Sequence, residues 1–296
     1  MDFTQSFIKS KNPCANGFRW YLRHHRNGAD YQQVLDGLVA AGRVDDACWL
    51  LDKVGPAHTV LELDALDCDA LVFAGSVHVR GGIDVQGKLR AGGSIRCEGS
   101  LRAGGEIVAG DDIAATGGIR AGAGVRCAGS LVAGWHTRAE GGIAAGSLKI
   151  AGALDCAGSL DVAGVAWVQG DLAVDGDCRA RALRVRGDVQ AAGLLQTREG
   201  LLCDGAASSG SHVDAGLGIK CGGDLVAAGA IRAGEGIEAG GEIRAGAGYG
   251  VYAGLCVQGE EWDTSARVTA RARPARLLSG FWTGDRVHAG ELRHAH

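Results

Sequence analysis

Proline, aromatic residues and long apolar runs are scarce in this sequence, and each scarcity excludes a class of protein. Only 3 prolines occur among 296 residues, and the 51 glycines do not recur in Gly-X-Y triplets, so a collagen is excluded. Aromatic residues make up 5 % of the chain, but hydrophobic residues make up 46 %, which argues against disorder. No uninterrupted apolar run reaches the ~18 residues of a membrane-spanning helix, so we expect no membrane span.

The charge balance excludes some partners. The formal net charge is −4 and the pI is about 6.1, so the composition predicts no non-specific binding to nucleic acid or to an anionic membrane. The first residues of the chain lack the apolar centre of a signal peptide. We therefore expect a cytoplasmic protein that binds no nucleic acid.

Cysteine is present but has no metal-binding or redox spacing. The 10 cysteines are scattered, and no two of them form a Cys-X-X-Cys pair. Most of them stand where the surrounding pattern places small interior residues. We expect reduced thiols in the core, and disulfide bonds are the alternative interpretation.

A six-residue repeat fills the middle of the chain. From Leu71 onwards each repeat has a large aliphatic residue, a variable residue, a small residue, a variable residue, a glycine, and then a glycine or serine. The frame slips by one residue near Ser147 and again near Ala182. The aliphatic position is held by Ile83, Leu89, Ile95, Leu101, Ile107, Ile113, Ile119, Val125 and Leu131, and later by Val189, Leu195, Leu201, Val213, Ile219, Leu225, Ile231, Ile237, Ile243 and Leu255.

The spacing of the large and small residues indicates the fold. Residues i and i+2 of a β-strand point to the same face, so each repeat supplies a short strand with two side chains inside. Glycine turns the chain after each strand, because it adopts backbone angles that other residues avoid. One strand buries too little to fold, but stacked coils share a core. We predict a mainly β fold, a single-stranded parallel β-helix or β-solenoid with about 18 residues per coil and about ten coils.

The segments Ile83–Gly87 (IDVQG) and Leu172–Gly176 (LAVDG) carry a family resemblance. They resemble the bactofilins, which are bacterial polymer-forming cytoskeletal proteins, and the resemblance covers about residues 59–258. It implies a right-handed β-helix and, as one possible function, end-to-end polymerisation. Left-handed acyltransferase helices fit less well, because they place the small residue before the aliphatic one, and pentapeptide-repeat proteins have a shorter repeat.

The segment before the repeat has a helical pattern. Residues 1–56 predict one helix that starts at Asn12 and Pro13, a second over about residues 30–41, and a short third helix before Gly55. We expect residues 1–56 to form an N-terminal α-helical cap domain.

The segment after the repeat is rich in large apolar residues interleaved with arginines. We predict that residues 57–258 form the β-helix and that residues 259–296 form a C-terminal capping segment. Uncovered ends of a β-solenoid expose unpaired strand edges and invite stacking, so caps favour a discrete particle over a filament. The large apolar residues are Trp262, Leu277, Leu278, Phe281 and Trp282.

The outward position of each repeat shows what the faces present. With 18-residue coils, Arg102, Arg120 and Arg138 fall in one row that Asp84 and Asp155 flank. A second row has Arg90, Arg126 and Arg179, and a third has Lys149, Trp167 and Arg184 in succession. Stacked like charges repel each other unless a partner or nearby carboxylates offset them. The functional interpretation is a surface for an acidic partner, and the alternative is a solvated face that keeps the protein soluble.

Two tryptophans stand out against this pattern. Trp167 occupies an outward position between basic residues, and tryptophan and arginine dominate protein interfaces. The alternatives are a Trp167 packed under a local loop and an error of register near Ser147. Trp135 occupies a turn position that glycine usually holds, and we expect it to cover a local kink.

The sequence predicts no catalytic residue, no metal ligand set and no cofactor. Enzymes built on β-helices use long loops or acid and base clusters, and the turns here are short. We expect a non-enzymatic solenoid that binds a protein partner through its rigid surface, in an adaptor, inhibitor or immunity/antitoxin-type role. The alternatives are a bactofilin-like protein that polymerises end to end, hence a homo-oligomer or polymer, and a carbohydrate-binding or carbohydrate-active β-helix. The partner-binding candidates are Trp167, Lys149, Arg184, Arg102, Arg120 and Arg138.

Overall fold

A computed structural model describes residues 2–25, 29–257 and 261–284. The chain divides into two compact units, residues 1–129 and residues 130–296. The predicted boundary between the β-helix and the C-terminal segment, at residues 258–259, lies outside the described residues.

The first unit begins with short helices. Two-residue strands β1 (Asp2–Phe3) and β2 (Ala29–Asp30) pair antiparallel beside them. The helices are α1 (Gln5–Ser10), α2 (Ala15–His24), α3 (Tyr31–Ala40) and α4 (Val44–Val54).

The three helices predicted for residues 1–56 correspond to α2, α3 and α4, but not all of their predicted boundaries are correct. The prediction for α3 is confirmed, and the Asp30 side chain caps it by accepting from the backbone N–H of Gln32. The predicted start of the first helix at Asn12 is wrong. Asn12 has a positive φ of 54°, which is incompatible with a helix start, and Cys14 is the N-cap instead. The helix α1 was not predicted, and α4 is longer than expected.

The rest of the first unit is parallel β-solenoid. Each strand pairs with the strand three places further along the chain; for example, Leu101 lies opposite Ile119 and Ala103 opposite Ala121. From β6 to β14 the aliphatic and small positions are buried and the residue between them faces outward, as the repeat predicts, except in β11, where Val108 is buried as well. The first strands depart from this pattern: no residue of β3 or β4 is buried, and the middle residue of β5, Val72, is buried. The strands are β3 (Val60–Leu63), β4 (Leu66–Cys68), β5 (Leu71–Phe73), β6 (Ser76–Val79), β7 (Ile83–Val85), β8 (Leu89–Ala91), β9 (Ile95–Cys97), β10 (Leu101–Ala103), β11 (Ile107–Ala109), β12 (Ile113–Ala115), β13 (Ile119–Ala121) and β14 (Val125–Cys127).

The helices cover one of the three strands that start the solenoid. Helices α3 and α4 pack on β5, and the side-chain amide of Gln32 bonds to its edge. Gln32 Nε2 donates to the carbonyl of Val72 at 3.1 Å, and Gln32 Oε1 accepts from the N–H of Ala74 at 2.9 Å. One side chain therefore supplies both bonds that a neighbouring strand would make. Among the described residues, no strand pairs with the outer edge of β3 or β4.

The second unit continues the same architecture within its own coils. Its strands are β15 (Ser130–Ala133), β16 (Thr137–Ala139), β17 (Ile143–Ala145), β18 (Ser147–Ile150), β19 (Leu154–Cys156), β20 (Leu160–Val168), β21 (Leu172–Val174), β22 (Cys178–Val185), β23 (Val189–Ala191), β24 (Leu195–Thr197), β25 (Leu201–Cys203), β26 (Ala207–Ser209), β27 (Val213–Ala215), β28 (Ile219–Cys221), β29 (Leu225–Ala227), β30 (Ile231–Ala233), β31 (Ile237–Ala239), β32 (Ile243–Arg244), β33 (Val251–Tyr252), β34 (Arg267–Thr269), β35 (Leu277–Ser279) and β36 (Phe281–Gly284), with the short helix α5 (Trp262–Ser265) between β33 and β34.

The two slips of the repeat are shortened coils. Ser130 pairs with Ser147 and Val165 with Ala182, so each of these coils has one residue fewer than its neighbours. The second slip lies at a bulge between Val162 and Val165, where β20 bends around a corner. The frame shifts expected near Ser147 and Ala182 are thus confirmed.

The glycines at the corners serve a purpose that the repeat did not reveal. Among the described residues, positive φ occurs at six glycines, and none of them lies between residues 81 and 246, where the coils are regular. Space is the reason instead. A Cβ atom on Gly170 would lie 2.7 Å from the backbone nitrogen of Ala153 in the preceding coil. The expected role of backbone angle is therefore wrong for the regular corners, where close stacking of backbones excludes a side chain.

The C-terminal segment adds strands to the solenoid. β34 pairs with β31, β35 with β33, and β36 with β34, all in parallel. Val268 and Ala270 are buried in the core, whereas Leu278 and Phe281 are 54 % and 48 % exposed. The segment packs through smaller residues than predicted, because none of the five large apolar residues named for it is buried: Leu277 and Trp282 are half-buried, and Trp262, Leu278 and Phe281 are exposed.

No described helix is long and apolar enough to cross a membrane.

Most of the cysteines are buried, as the repeat predicts. Within the described residues the thiols form no disulfide. Those at the small interior position are buried except Cys68 in β4, and four of them donate to the carbonyl of the glycine two residues later. These four are Cys97, Cys127, Cys156 and Cys203.

Candidate functional site

The third predicted row forms a continuous ladder on one face of the second unit. Lys149 lies directly opposite Trp167, and Trp167 lies opposite Arg184. Neighbouring parallel strands are about 4.8 Å apart, so the three side chains project from adjacent coils. The prediction that they follow one another is confirmed in register.

The strands hold these three side chains outward for a local reason. In β18 the aliphatic Leu148 and Ile150 are buried, which forces Lys149 between them to the surface. Trp167 stands in the same way between the buried Ala166 and Val168. Because both strands are buried on one face, a slip of one residue would bury the charge of Lys149 in β18 and would turn the buried Ala166 and Val168 outward in β20.

The contact between the first two residues of the row is a cation–π interaction. The Nζ atom of Lys149 lies 5.0 Å from the ring centroid of Trp167. The Trp167 side chain is half-buried, while Lys149 and Arg184 are exposed. The tryptophan is therefore neither hidden under a loop nor displaced by an error of register, and the two alternative interpretations of it are wrong.

The row continues beyond the three predicted residues. Arg184 lies opposite Leu202, Leu202 opposite Lys220, and Lys220 opposite Glu238. The Leu202 side chain is 39 % exposed, and Lys220 is paired with Glu238 at 3.1 Å. The sequence interpretation missed these residues, although each lies one regular coil after the last. Counting onward from Arg184, after the second shortened coil, would have found them.

A groove lies beside the part of this row that runs from Arg184 to Glu238. It has a volume of about 590 Å³ and is lined by the outward side chains of Arg184, Leu202, Lys220 and Glu238. Thr264 and Ser265 of α5 also line it, because the C-terminal segment passes beside this face. We call the row from Lys149 to Glu238 together with this groove the tryptophan face.

The first predicted row, with Arg102, Arg120 and Arg138, has carboxylates beside two of its arginines. Arg102 lies opposite Asp84 and Arg120 in the first unit, and its Nη1 is 3.8 Å from an oxygen of Asp84. In the second unit, Arg138 lies opposite Asp155 and its Nε bonds Glu140 at 2.8 Å.

Two cations of the tryptophan face, Lys149 and Arg184, lack such partners among the described residues, whereas Lys220 is paired with Glu238. Within the described ranges, no carboxylate lies within ion-pair distance of Lys149 or Arg184. The same holds for Arg120 in the first predicted row. A cation without an internal carboxylate keeps its full attraction for an external one. Lys149 and Arg184 are therefore better placed than Arg102 and Arg138 to bind an acidic partner.

The prediction for Trp135 is wrong. The residue stands at a turn as expected, but its side chain is 69 % exposed and covers little of the chain. Trp135 is thus a solvent-facing tryptophan of the second unit without a stacked cation among the described residues, and it provides a natural control for Trp167.

The comparisons with known proteins concern the helical segment. Residues 1–56 match the family described as the YdhT N-terminal domain. That match covers α1 to α4 and stops before β3. No curated protein and no solved structure matches the chain. The comparisons therefore assign no function to the tryptophan face.

Proposed function

We propose that this protein is a non-enzymatic scaffold that binds another protein through the tryptophan face. The partner presents an acidic surface with an apolar centre. The observation that carries the proposal is the position of Trp167 between Lys149 and Arg184, two cations without a carboxylate partner among the described residues.

The energetics favour a small number of strong contacts. A half-buried tryptophan supplies a large apolar area, and residues of this type account for most of the binding energy in protein interfaces. Leu202 adds an apolar contact two coils away from Trp167. Because the solenoid is rigid, this surface loses little conformational entropy on binding. An adaptor or inhibitor role is consistent with such a surface.

The experiment begins by locating the contact. A photo-crosslinking amino acid placed at position 202 should capture one defined protein in the native host, whereas the same amino acid at position 135 should not. The captured protein is then purified and its affinity measured with wild-type protein, Trp167→Ala and Trp135→Ala. Trp167→Ala should weaken binding by at least about tenfold, as expected for a central interface residue, and Trp135→Ala should not. Equal affinities of the two variants would disprove the role of Trp167.

A second candidate function is end-to-end assembly, in line with the bactofilin resemblance. Two observations favour it: the outer edges of β3 and β4 pair with no strand of the described residues, and Leu278 and Phe281 are exposed in β35 and β36. Light scattering on the purified chain distinguishes the two candidates, because a mass that rises with concentration supports assembly and a constant mass supports the discrete scaffold.

A further inference from the structure

The groove of the tryptophan face follows the stacking direction of the coils. The strands β22, β25, β28 and β31 pair in parallel in that order, and the outward residue of each lines the groove. The strand β34 pairs with β31 at one end of this run, and its Arg267 and Thr269 complete the lining. Five strands at the usual spacing make the groove about 19 Å long, a length that suits an extended chain.

The floor of the groove is glycine at positions where a side chain would fit. Gly200 precedes the buried Leu201, so a side chain there would point outward into the groove, and Gly218 stands in the same way one coil later. A Cβ atom on Gly200 would meet one heavy atom within 4 Å, the oxygen of Gly218 at 3.4 Å, which is an ordinary contact. One coil earlier the equivalent residue is Ala182. The packing of the coil therefore does not require glycine here, and the missing side chain keeps the floor open.

The apolar side chains beside the floor are aliphatic. Leu202 and Leu217 stand on opposite sides of the glycine floor, one coil apart. No aromatic side chain of the described residues lines the groove. Grooves for single-stranded nucleic acid usually offer aromatic rings on which the bases stack, so this lining fits an aliphatic side chain better than a base.

The charges of the groove leave two cations for a ligand. Both glutamates of the lining already have a cation beside them. The pairs are Glu199 with Arg181 at 3.4 Å and Glu238 with Lys220 at 3.1 Å. Arg184 in β22 and Arg267 in β34 stand at the two ends of the groove, and within the described ranges neither has a carboxylate at ion-pair distance. An extended chain rises about 3.3 Å per residue, so two carboxylates six residues apart span the distance between these arginines.

We propose that the groove receives an extended peptide segment of the protein partner, with two acidic residues six places apart and an aliphatic residue between them. The acidic side chains bind Arg184 and Arg267, and the aliphatic side chain packs between Leu202 and Leu217. Residues an even number of places apart in an extended chain point the same way, so all three side chains face the solenoid. Because the groove belongs to the tryptophan face, this inference rests on the proposed function and states which part of the partner lies there.

Fluorescence anisotropy with labelled heptapeptides and the full chain tests the spacing. The probe ETLTLTE reads the same in both directions and has its acidic residues six places apart. The control EETLTLT has the same composition with adjacent acidic residues, and QTLTLTQ has none. The probe should bind saturably and about tenfold more tightly than either control, as expected for a hydrogen bond to a charged group.

Three results of this experiment would overturn the proposal. They are equal affinity of ETLTLTE and EETLTLT, the absence of saturable binding of ETLTLTE, and tighter binding of a heptamer of galacturonic acid. The last result would show that the groove prefers an acidic polysaccharide to a peptide.

Substitutions locate the site. Gly200→Leu fills the floor and should remove saturable binding of ETLTLTE. Gly82→Leu is the matched control outside the groove, because a Cβ atom on Gly82 would have its nearest neighbour, the oxygen of Ser100, at 3.3 Å. Arg267→Gln changes an exposed side chain and should weaken the probe about tenfold, whereas Arg102→Gln should not. The arginine variant keeps the test valid if Gly200→Leu does not fold, and unchanged affinity in the folded site variants would refute the assignment.

Trp167→Ala separates this inference from the proposed function, because Trp167 does not line the groove. The variant should weaken the captured partner and leave the affinity for ETLTLTE unchanged. If the heptapeptides fail while Trp167→Ala still weakens the partner, the face binds without the groove and only this inference is wrong. If ETLTLTE binds the groove and Trp167→Ala does not affect the partner, the proposed role of Trp167 is wrong and the groove remains the binding site.

Discussion

The Nζ atom of Lys149 lies 5.0 Å from the ring centroid of Trp167, which occupies the equivalent position one coil further along. This pair links the regular geometry of the solenoid to its surface chemistry. The register places the two side chains next to each other, and the buried neighbours on either side of each residue keep them outward. The first prediction concerns this pair.

Lys149 and Trp167 should stabilise the fold together by a modest amount. In a double-mutant cycle with Lys149→Met and Trp167→Leu, the coupling in the free energy of unfolding should be about 0.5–1 kcal/mol, the range for a cation over an exposed aromatic ring. Urea unfolding of the four proteins measures it. A coupling indistinguishable from zero would show that the contact adds nothing to stability.

Gly170 should tolerate no side chain. A Cβ atom there would lie 2.7 Å from the nitrogen of Ala153, so Gly170→Ala should destabilise the fold by about 1–3 kcal/mol through overpacking. Gly200 is the matched control, because a Cβ atom there would have its nearest neighbour, an oxygen of Gly218, at 3.4 Å. Thermal unfolding compares the two variants. Equal effects would show that space at the corner is not the reason for glycine.

Gln32 should protect the edge of β5. Gln32→Ala removes both bonds to the strand and should cost about 1–2 kcal/mol. Gln32→Glu should not restore stability, because it replaces the donor by a carboxylate oxygen beside the carbonyl of Val72 and the carboxylate of Asp36. Hydrogen exchange at the Ala74 amide is the direct measurement, and it should accelerate in the alanine variant. Unchanged exchange at Ala74 would contradict the capping role of this side chain.

Asp177 should make stability depend on acid pH. The N–H of Leu194, which donates to Oδ1 at 2.8 Å, holds the pKa of Asp177 below its ordinary value, and Arg179 lowers it further. A carboxyl with a depressed pKa in the folded state stabilises the fold above its unfolded pKa of about 3.9, and this contribution is lost as the pH falls through the lower folded value.

The control for Asp177 is Asp177→Asn, which still accepts from Leu194 but does not titrate. The difference in the free energy of unfolding between the two proteins should be constant from about pH 5 to 7 and should shrink below about pH 4. Urea unfolding at a series of pH values measures it. A difference that does not change between neutral and strongly acidic pH would contradict the assignment.

The buried thiols should be inert. Burial, helped by nearby Cys156 and Asp161, raises the pKa of Cys178 to about 12, so almost no thiolate forms near neutral pH. Iodoacetamide at about pH 8 should modify the exposed Cys14 and Cys256 and leave Cys178 intact until the protein is unfolded. Mass spectrometry of the alkylated peptides reads the result, and modification of Cys178 in the folded protein would show that this coil opens.

Much of the fold was predictable because a solenoid repeats its long-range contacts at a constant separation. The large residue, the small residue two places later and the outward residue between them are fixed by the strand period alone. The same arithmetic placed Lys149, Trp167 and Arg184 in one row once the two shortened coils were allowed. It would also have reached Leu202, Lys220 and Glu238.

Other features follow from contacts that do not repeat, and only the tertiary structure decided them. Helices α3 and α4 pack on β5 and the side chain of Gln32 bonds to its edge, and the C-terminal segment pairs with β31 and β33 although it lacks the repeat. Whether an arginine has a carboxylate beside it depends on neighbours on adjacent coils and corners, as the pairs of Arg102 and Arg138 show. The sequence by itself determined the coil and its faces, because periodicity encodes regular contacts. The groove and the reason for corner glycine depend on distances between backbones and on irregular packing, which no sequence period specifies.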